Sequence, residues 1–286
     1  MSFEYVQGEL RALKYLVIQR RNAIKALLIE KESVTINEVV DKFGISVETV
    51  RRDFDALAEE GFLDKIYGGA TRRKRTSVNL PPDLLSATFP AEKKRIATEA
   101  VRLIKSNDTV FLDSSDTVLR MCDALMNKDI TVLTNSLKVI EKLSESHTVR
   151  LLCIGGLFQS KHLEFGGTVA LETLRQFQVD RAFITCRSLN FKRGIGTGSE
   201  DQAFFKKTVI DHAEQVNLLT LHSCFGKPSF VKFADYADID NIFTDKRVSP
   251  EWKEFLESKS VVCHECIEEA PSSEEAPLDD ARWQEV

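Results

Sequence analysis

The sequence predicts an α/β protein in two parts: a small, mainly helical domain over residues 20–70 and a larger α/β domain over residues 92–266. Three observations lead there. Residues 20–70 carry short apolar patterns of helical period that end in a glycine-rich stretch. Residues 92–266 repeat a helix-then-strand rhythm, which argues for a mostly parallel sheet covered by helices. Between them, residues 71–91 turn basic and then rich in Ser, Asn and Pro (Ser77-Val-Asn-Leu-Pro-Pro82), the composition of a linker. Residues 1–19 form an N-terminal extension that either lengthens the first helix or makes a separate one. Residues 267–286, acidic and broken by Pro271 and Pro277, are expected to be a disordered tail.

Charge and composition narrow the class. No apolar run approaches the roughly 20 residues that span a bilayer. The segment Met1–Arg21 carries Glu4, Glu9, Arg11 and Lys14 and lacks the layout of a secretory signal. A cytoplasmic protein with no membrane partner is expected. The six cysteines are scattered and suit free thiols in a reducing compartment. The net charge of −5 is local: the tail holds seven acids against Arg282, and the remainder is slightly basic. Thr71-Arg-Arg-Lys-Arg-Thr76 concentrates that positive charge. Phosphate contacts act over about a Debye length, roughly 8 Å, so local charge outweighs the total.

In the small domain the first helix runs from Arg20 to about Lys31, with Ile24, Leu27 and Leu28 on one face. Thr35-Ile-Asn-Glu38 is a capping box that opens the second. Gly44 ends it and Ser46 caps the third. In the third helix Val47, Val50, Phe54 and Leu57 share a face, and Arg52 points away from it with Glu48, Thr49 and Asp55 nearby and Arg51 at the flank. One side of such a helix packs while the other is free to enter a major groove. Ser46 or Thr49 can meet phosphate or base there, and Arg51 and Arg52 can neutralise phosphate or fork to guanine. Phe62 to Ala70 is a strand–turn pattern that forms a wing, with Lys65 and Tyr67 set toward the DNA backbone or minor groove. An isolated arginine pair is ordinary surface charge. A capped helix–Gly turn–helix unit with a wing and a basic linker is a winged helix-turn-helix.

The run Ile45-Ser-Val-Glu-Thr-Val-Arg-Arg-Asp-Phe-Asp-Ala-Leu57, with Glu60-Gly-Phe-Leu63 and Tyr67-Gly-Gly-Ala70, resembles the N-terminal signature of DeoR-type bacterial regulators. The resemblance implies that Ser46–Asp53 reads operator double-stranded DNA, with Thr49, Arg51 and Arg52 at signature positions.

In the large domain, helices are expected at Glu92–Lys105, Thr117–Met126 and Ser136–Leu143. They alternate with strands at Thr109–Asp113, Ile130–Thr134 and Val149–Ile154, and further strands are expected at Arg181–Thr185, Val216–Leu221 and Asn241–Phe243. Ligands of such folds sit at strand carboxyl ends against helix N-termini. Two junctions fit: Asp113-Ser-Ser-Asp-Thr117 and Thr134-Asn-Ser136. Their hydroxyls and amides either hold a ligand, with Ser115 among them, or simply cap helices.

The resemblance continues through Phe111-Leu-Asp-Ser114, Thr134-Asn-Ser-Leu137, Gly155-Gly156, Asp180-Arg-Ala-Phe183 and Ser223-Cys-Phe-Gly226. It implies a sensor domain similar to ribose-phosphate isomerase-type folds that takes phosphorylated sugars. Asp113, Ser114, Thr117, Asn135 and Gly156 match the family's pattern and are the candidate ligand contacts. Several positions depart from it. Asp116 adds an acid, Leu221-His-Ser-Cys-Phe-Gly226 lacks the family's acid and lysine, the segment Ile184–Asn190 lacks its glycine, and Gln202 stands for a Glu. A sugar derivative with weaker phosphate dependence is therefore expected as effector, or a sensor kept for assembly. A homo-oligomer (dimer or tetramer) is expected, because symmetric assembly doubles the contacts and matches repeated half-sites, and the resemblance implies a repressor of a carbohydrate-metabolism operon.

An enzyme is the rival class, since the resembled fold includes isomerases. Enediolate chemistry needs a base and a stabilising cation, and positions 221 and 224 hold Leu and Cys. No catalytic residue or cofactor is assigned. Cys263-His-Glu-Cys266 has metal-like spacing without a second ligand pair, and it is read as a terminal strand with no metal.

Overall fold

The computed structural model describes residues 3–73 and 88–268. The linker residues 74–87 and the tail residues 269–286, with the expectations attached to them, lie outside the described residues.

The small domain contains α1 (Phe3–Lys31), β1 (Ser33–Thr35), α2 (Ile36–Phe43), α3 (Val47–Glu59), β2 (Leu63–Ile66) and β3 (Gly69–Arg72). α1 runs straight through the extension, so residues 3–19 continue the first helix. The capping box forms on α2: Thr35 accepts from the Glu38 amide, and the Glu38 carboxylate accepts from the Thr35 amide at 2.8 Å. Gly44 closes α2 in the left-handed region (φ +61°), where a Cβ costs energy. Ser46 then caps α3. The wing is three-stranded, in the order β1-β3-β2 and antiparallel throughout. β1 escapes the sequence because its three residues also supply the cap of α2. Ile24, Leu28, Val39, Val50, Phe54 and Leu57 form the core.

The large domain comprises α4 (Pro90–Val101), β4 (Thr109–Leu112), α5 (Asp116–Leu119), α6 (Cys122–Leu125), β5 (Thr131–Thr134), α7 (Leu137–Leu143) and β6 (Arg150–Cys153). There follow β7 (Leu157–Gln159), β8 (Glu164–Gly166), α8 (Gly167–Leu174), β9 (Val179–Thr185), β10 (Ser188–Asn190), β11 (Gly194–Thr197) and α9 (Glu200–Asp211). β12 (Ala213–Thr220), β13 (Val231–Ala234), β14 (Asn241–Thr244), α10 (Pro250–Ser258) and β15 (Val262–Glu265) complete it. Two expected helices are shorter than their apolar patterns. α4 tightens after Val101 into i→i+3 bonds at Arg102, Leu103 and Ile104. The segment 117–126 divides where Met121 bonds back to Val118.

Seven strands form one parallel sheet in the order β15-β14-β12-β9-β4-β5-β6. From β4 the chain winds outward to β6, then returns to β9 on the other side of β4. The strand order therefore reverses between β4 and β9, and that switch point opens a crevice beyond their carboxyl ends. Two apolar clusters cover the sheet's faces, one around Phe111, Ile184 and Leu218 and the other around Leu112, Phe183 and Phe243. β10, β11 and β13 make a separate antiparallel sheet, and β7 pairs with β8.

Candidate functional site

α3 presents the features that a groove-reading helix needs. Its inner face buries Val50, Asp53, Phe54 and Leu57, and its outer face leaves Glu48, Arg51 and Arg52 exposed. Ser46 and Thr49 are tied to each other, hydroxyl to hydroxyl at 2.9 Å, while the Ser46 hydroxyl caps the Thr49 amide. Arg52 lies 3.6 Å from Glu48 one turn back. Among the described residues, Arg51 has neither an ion pair nor a side-chain hydrogen bond. Lys65 of β2 pairs with Asp55 of α3, which joins wing to helix on the same side. Tyr67 stands fully exposed at the wing tip. Asp53, the last residue of the expected reading segment, instead points inward. It is 1% exposed and receives Arg20 at 2.6 Å and Arg21 at 2.9 Å, locking α1 to α3. Of the basic run 71–76, Thr71 and Arg72 belong to β3 rather than to a linker, and Arg73 pairs with Asp64.

At the switch point lies a cavity of about 300 Å³. The β4–α5 junction supplies Asp113, Ser114, Ser115, Asp116 and Thr117; the end of β9 supplies Thr185, Cys186 and Arg187; the loop after β12 supplies Cys224 and Lys227. α4 adds Lys93, α9 adds Gln202 and Lys206, and the small domain adds Ile29 and Arg72. Six basic side chains line it (Arg72, Lys93, Lys138, Arg187, Lys206, Lys227) against two carboxylates, which makes it an anion-favouring space.

Both carboxylates are already answered. Asp113, 4% exposed, accepts from the Ser115 amide at 2.9 Å, the Thr185 amide at 2.7 Å and hydroxyl at 2.8 Å, and Lys206 at 2.9 Å. Burial alone would raise its pKa; Lys206 and the Ser115 bonds outweigh burial and hold the carboxyl below its ordinary value. Asp113 thus staples β4 to β9. Asp116, the acid that departs from the family pattern, pairs with Lys93 at 3.4 Å and Arg120 at 3.2 Å. Burial lowers the Lys93 pKa against the pull of Asp116. The lysine absent at 224 does not leave the cavity poor in charge, because Lys93, Arg187 and Lys227 bring cations from three other segments.

Ser115 caps α5 through the Val118 amide while its residue borders the cavity. Ser114 hydrogen-bonds the buried Glu164, which Gln202 also reaches at 2.9 Å. Asn135 is 4% exposed, donates to the Phe165 carbonyl at 2.9 Å and borders only a smaller adjoining space shared with Ser114 and Glu164. Gly156 borders neither space. Its φ of +140° and the Gly166 carbonyl 2.6 Å from where a Cβ would sit give it a packing reason for being glycine. Lys93, Glu164, Arg187, Lys206 and Lys227 were not foreseen; they come from five segments far apart in sequence, and no local spacing joins them. In β15, an edge strand, His264 stacks on Phe243 and hydrogen-bonds Asn241 at 3.0 Å.

Two family profiles match the chain: the DeoR-like helix-turn-helix domain over residues 20–76 and the DeoR C terminal sensor domain over residues 88–246. The chain is similar to the uncharacterized HTH-type transcriptional regulator YulB of Bacillus subtilis, 31% identical over 246 residues, 86% of this chain and 95% of that one. It is similar to the glycerol-3-phosphate regulon repressor of Escherichia coli, 28% identical over 228 residues, 79% of this chain and 90% of that one. Among solved structures, ribose 5-phosphate isomerase A of Methanocaldococcus jannaschii aligns with 48% of this chain and 55% of that one at 17% identity and TM-score 0.36, too low a score to carry an argument.

Proposed function

The chain belongs to the DeoR family of transcriptional regulators, and from that premise we propose a cytoplasmic repressor of a carbohydrate-metabolism operon whose operator binding responds to an anionic sugar derivative. Operator DNA meets the exposed face of α3, with Ser46, Glu48, Thr49, Arg51 and Arg52, and the wing, with Lys65 and Tyr67. The effector occupies the cavity at the switch point. Asp113 and Ser115 shape the cavity, Ser114 and Thr117 offer hydroxyls, and Lys93, Arg187 and Lys227 attract the anion.

The observation that carries this reading is the composition of the cavity wall: six basic groups to two carboxylates, with Arg72 and Ile29 contributed by the DNA-reading domain itself. A phosphorylated metabolite suits such a wall, since Arg and Lys bind phosphate through charge-assisted hydrogen bonds. The similarity to the glycerol-3-phosphate regulon repressor of Escherichia coli supports the same class. No described helix is long and apolar enough to cross a membrane. A homo-oligomer is supported by exposed Leu157, Phe158, Val169 and Phe204, all on β7, α8 and α9, elements that pack together.

Fluorescence anisotropy on DNA from upstream of the chain's own gene and of neighbouring sugar-metabolism genes tests the reading. One fragment is expected to bind tightly, and one class of sugar phosphate is expected to weaken that binding at least tenfold. The double replacement Arg51→Ala, Arg52→Ala should abolish preference for the fragment. Equal affinity for all fragments, or indifference to every sugar phosphate and free sugar, would refute it. Light scattering on the full chain decides the assembly, and a monomer there removes the oligomer from the proposal.

A further inference from the structure

The cavity wall holds two of the six cysteines, Cys186 at the end of β9 and Cys224 in the turn after β12. They lie 38 positions apart, yet the Cys224 thiol points at the Cys186 carbonyl, 3.8 Å away. The Cys186 sulfur in turn lies 3.4 Å from the Thr220 hydroxyl. Both residues are partly exposed, and both are reached from the same solvent-accessible space. We propose that Cys186 and Cys224 form a peroxide-sensitive dithiol in the effector cavity, with Cys224 as the attacking sulfur and Cys186 as the resolving one.

The surroundings divide the two roles. Thiolate, not thiol, is the nucleophile. The neighbouring Cys186 thiol is the strongest influence on Cys224 and draws its pKa down to about 6 against burial, with Thr220 and Lys227 adding to the effect. Lys93 from α4 and Arg187 from the end of β9 also face the Cys224 charge. Cys186 moves the other way: burial and the neighbouring Cys224 raise it well above an ordinary thiol, so it keeps its proton, while Lys206 pulls weakly downward. These influences favour the thiolate on Cys224 and the protonated thiol on Cys186.

The chemistry balances with a hydroperoxide as oxidant. The Cys224 thiolate attacks one peroxide oxygen, the O–O bond breaks, and hydroxide leaves and takes up a proton as water. This gives a sulfenic acid. The Cys186 sulfur then attacks the Cys224 sulfur, gives up its proton, and expels the sulfenic oxygen as a second water. The sum is two thiols and one hydrogen peroxide giving one disulfide and two waters. The bond would tie the turn at 222–224 to the end of β9. That turn packs on the small domain's core through its neighbour Leu221, while the His222 ring meets Phe89, the cap of α4 buried in the same core, edge-on at 5.9 Å.

The test uses the full-length reduced protein and a small excess of hydrogen peroxide, followed by alkylation under denaturing conditions, trypsin digestion and mass spectrometry. The expected product links the peptide 182–187 to the peptide 208–232 with the loss of two hydrogens, and two of the six thiols disappear from titration. A reductant restores both. Cys224→Ser should lose no thiol pair, and Cys186→Ser should stop at a Cys224 sulfenic acid that dimedone traps. In a companion measurement the rate of iodoacetamide labelling at Cys224 should rise through about pH 6, whereas the exposed Cys153, its thiol pushed up by partial loss of hydration, responds only at alkaline pH. A bridge between Cys263 and Cys266 instead, or oxidation of Cys153 ahead of Cys224, overturns the proposal. None of these readouts involves DNA or effector, so a negative result leaves the regulatory reading standing, and loss of that reading leaves the dithiol standing.

Discussion

Replacing Asp113 by Asn removes one charge from the floor of the cavity and should unsettle the sheet more than it affects any ligand. The carboxylate accepts four hydrogen bonds: one from Ser115, two from Thr185 and one from Lys206. An amide offers one acceptor oxygen. Whichever way it turns, its NH2 group confronts either the Ser115 amide or the donors of Thr185 and Lys206. Lys206 keeps the Thr185 carbonyl at 2.6 Å but loses its counter-charge, with its side chain only 13% exposed. Breaking a buried pair from one side costs about 3–5 kcal/mol. For a domain of this size each kcal/mol moves Tm by about 2–4 °C, so a fall of roughly 6–20 °C is expected. Urea denaturation followed by circular dichroism should show a lower midpoint at unchanged slope. Adding Lys206→Met should recover part of the loss, because the stranded charge is removed with its partner. The sign of the pH dependence follows from the depressed carboxyl. Its stabilisation is fully present above the ordinary value of 3.8 and is lost as pH falls through the lower folded value. The deficit of the Asn variant should therefore shrink in acid below pH 3.8. A variant with wild-type midpoint and only weakened anion binding would refute this account and make Asp113 a ligand contact.

Three further outcomes are expected. Arg51→Ala should weaken operator binding by about 1–3 kcal/mol if it forks a base, or lower the salt slope by about one if it grips phosphate; unchanged affinity and slope in an anisotropy titration would exclude it from the interface. Thr35→Ala should cost about 1 kcal/mol through loss of the α2 cap, and NMR titration of Glu38 should place its midpoint at about 2, because the Thr35 amide, Lys31 and the Thr35 hydroxyl all favour the charged form. The stabilising effect of Glu38 is present above its ordinary 4.5 and disappears as pH drops through about 2; a midpoint near 4.5 would show that the capping box does not persist in solution. Glu32→Gln removes the partner that lies 3.3 Å from Lys227 and 3.9 Å from Arg72. The pairs are half-buried at the rim of the cavity and still reached by solvent, so stability should change by only about 1 kcal/mol, while calorimetry with inorganic phosphate should show affinity raised severalfold by the released cations; equal affinity would disconnect Glu32 from the cavity.

How much of this was legible in the sequence depended on distance along the chain. The caps of α2 and α3 could be read because Thr35 with Glu38, and Ser46 with Thr49, act across three residues. The strand ends at Asp113 and Thr134 could be read because a β-to-helix switch is local. The purpose of Asp113 could not be, since Lys206 lies 93 positions away and Thr185 lies 72 away. The cavity's charge is hidden in the sequence for the same reason. Position 224 lacks the family's lysine, but Lys93, Arg187 and Lys227 converge from segments that only the sheet order brings together. β7, β8, β10, β11 and β13 have three or four residues each, too few for a period of two to stand out. Asp53 closes the Ser46–Asp53 segment that the resemblance assigns to operator reading, and its inward role shows only in the arrival of Arg20 and Arg21 from α1.

The position of the cavity has a thermodynamic consequence. A ligand shifts a conformational equilibrium only by its differential affinity for the two states. A pocket wholly inside the sensor would need the sheet itself to deform before the DNA-reading domain could respond. Here the wall is shared. Arg72 of β3 and Ile29 of α1 border the same space as Lys93 and Arg187, and Lys227 faces both the cavity and Glu32 at the end of α1. In the proposed reading, an anion that draws Lys227 inward would compete directly with Glu32, and occupancy and domain docking would be linked through one side chain. By reciprocity, DNA that favours one docking must change effector affinity by the same factor that effector changes DNA affinity. A coupling of about 1–3 kcal/mol is the usual range for such linkage. A half-buried pair still reached by solvent, like Glu32–Lys227, contributes about 1 kcal/mol, so it can supply only a fraction of that coupling. The balance falls to the other contacts along this seam: the Phe89 amide donating to Glu30 at 3.4 Å, Leu221 packed against the small domain's core, and Phe89 against His222, which Asp245 holds at 2.7 Å. Leu221 and His222 among them adjoin Cys224 in the same turn, so the proposed dithiol would lie on the seam through which the proposed effector would act.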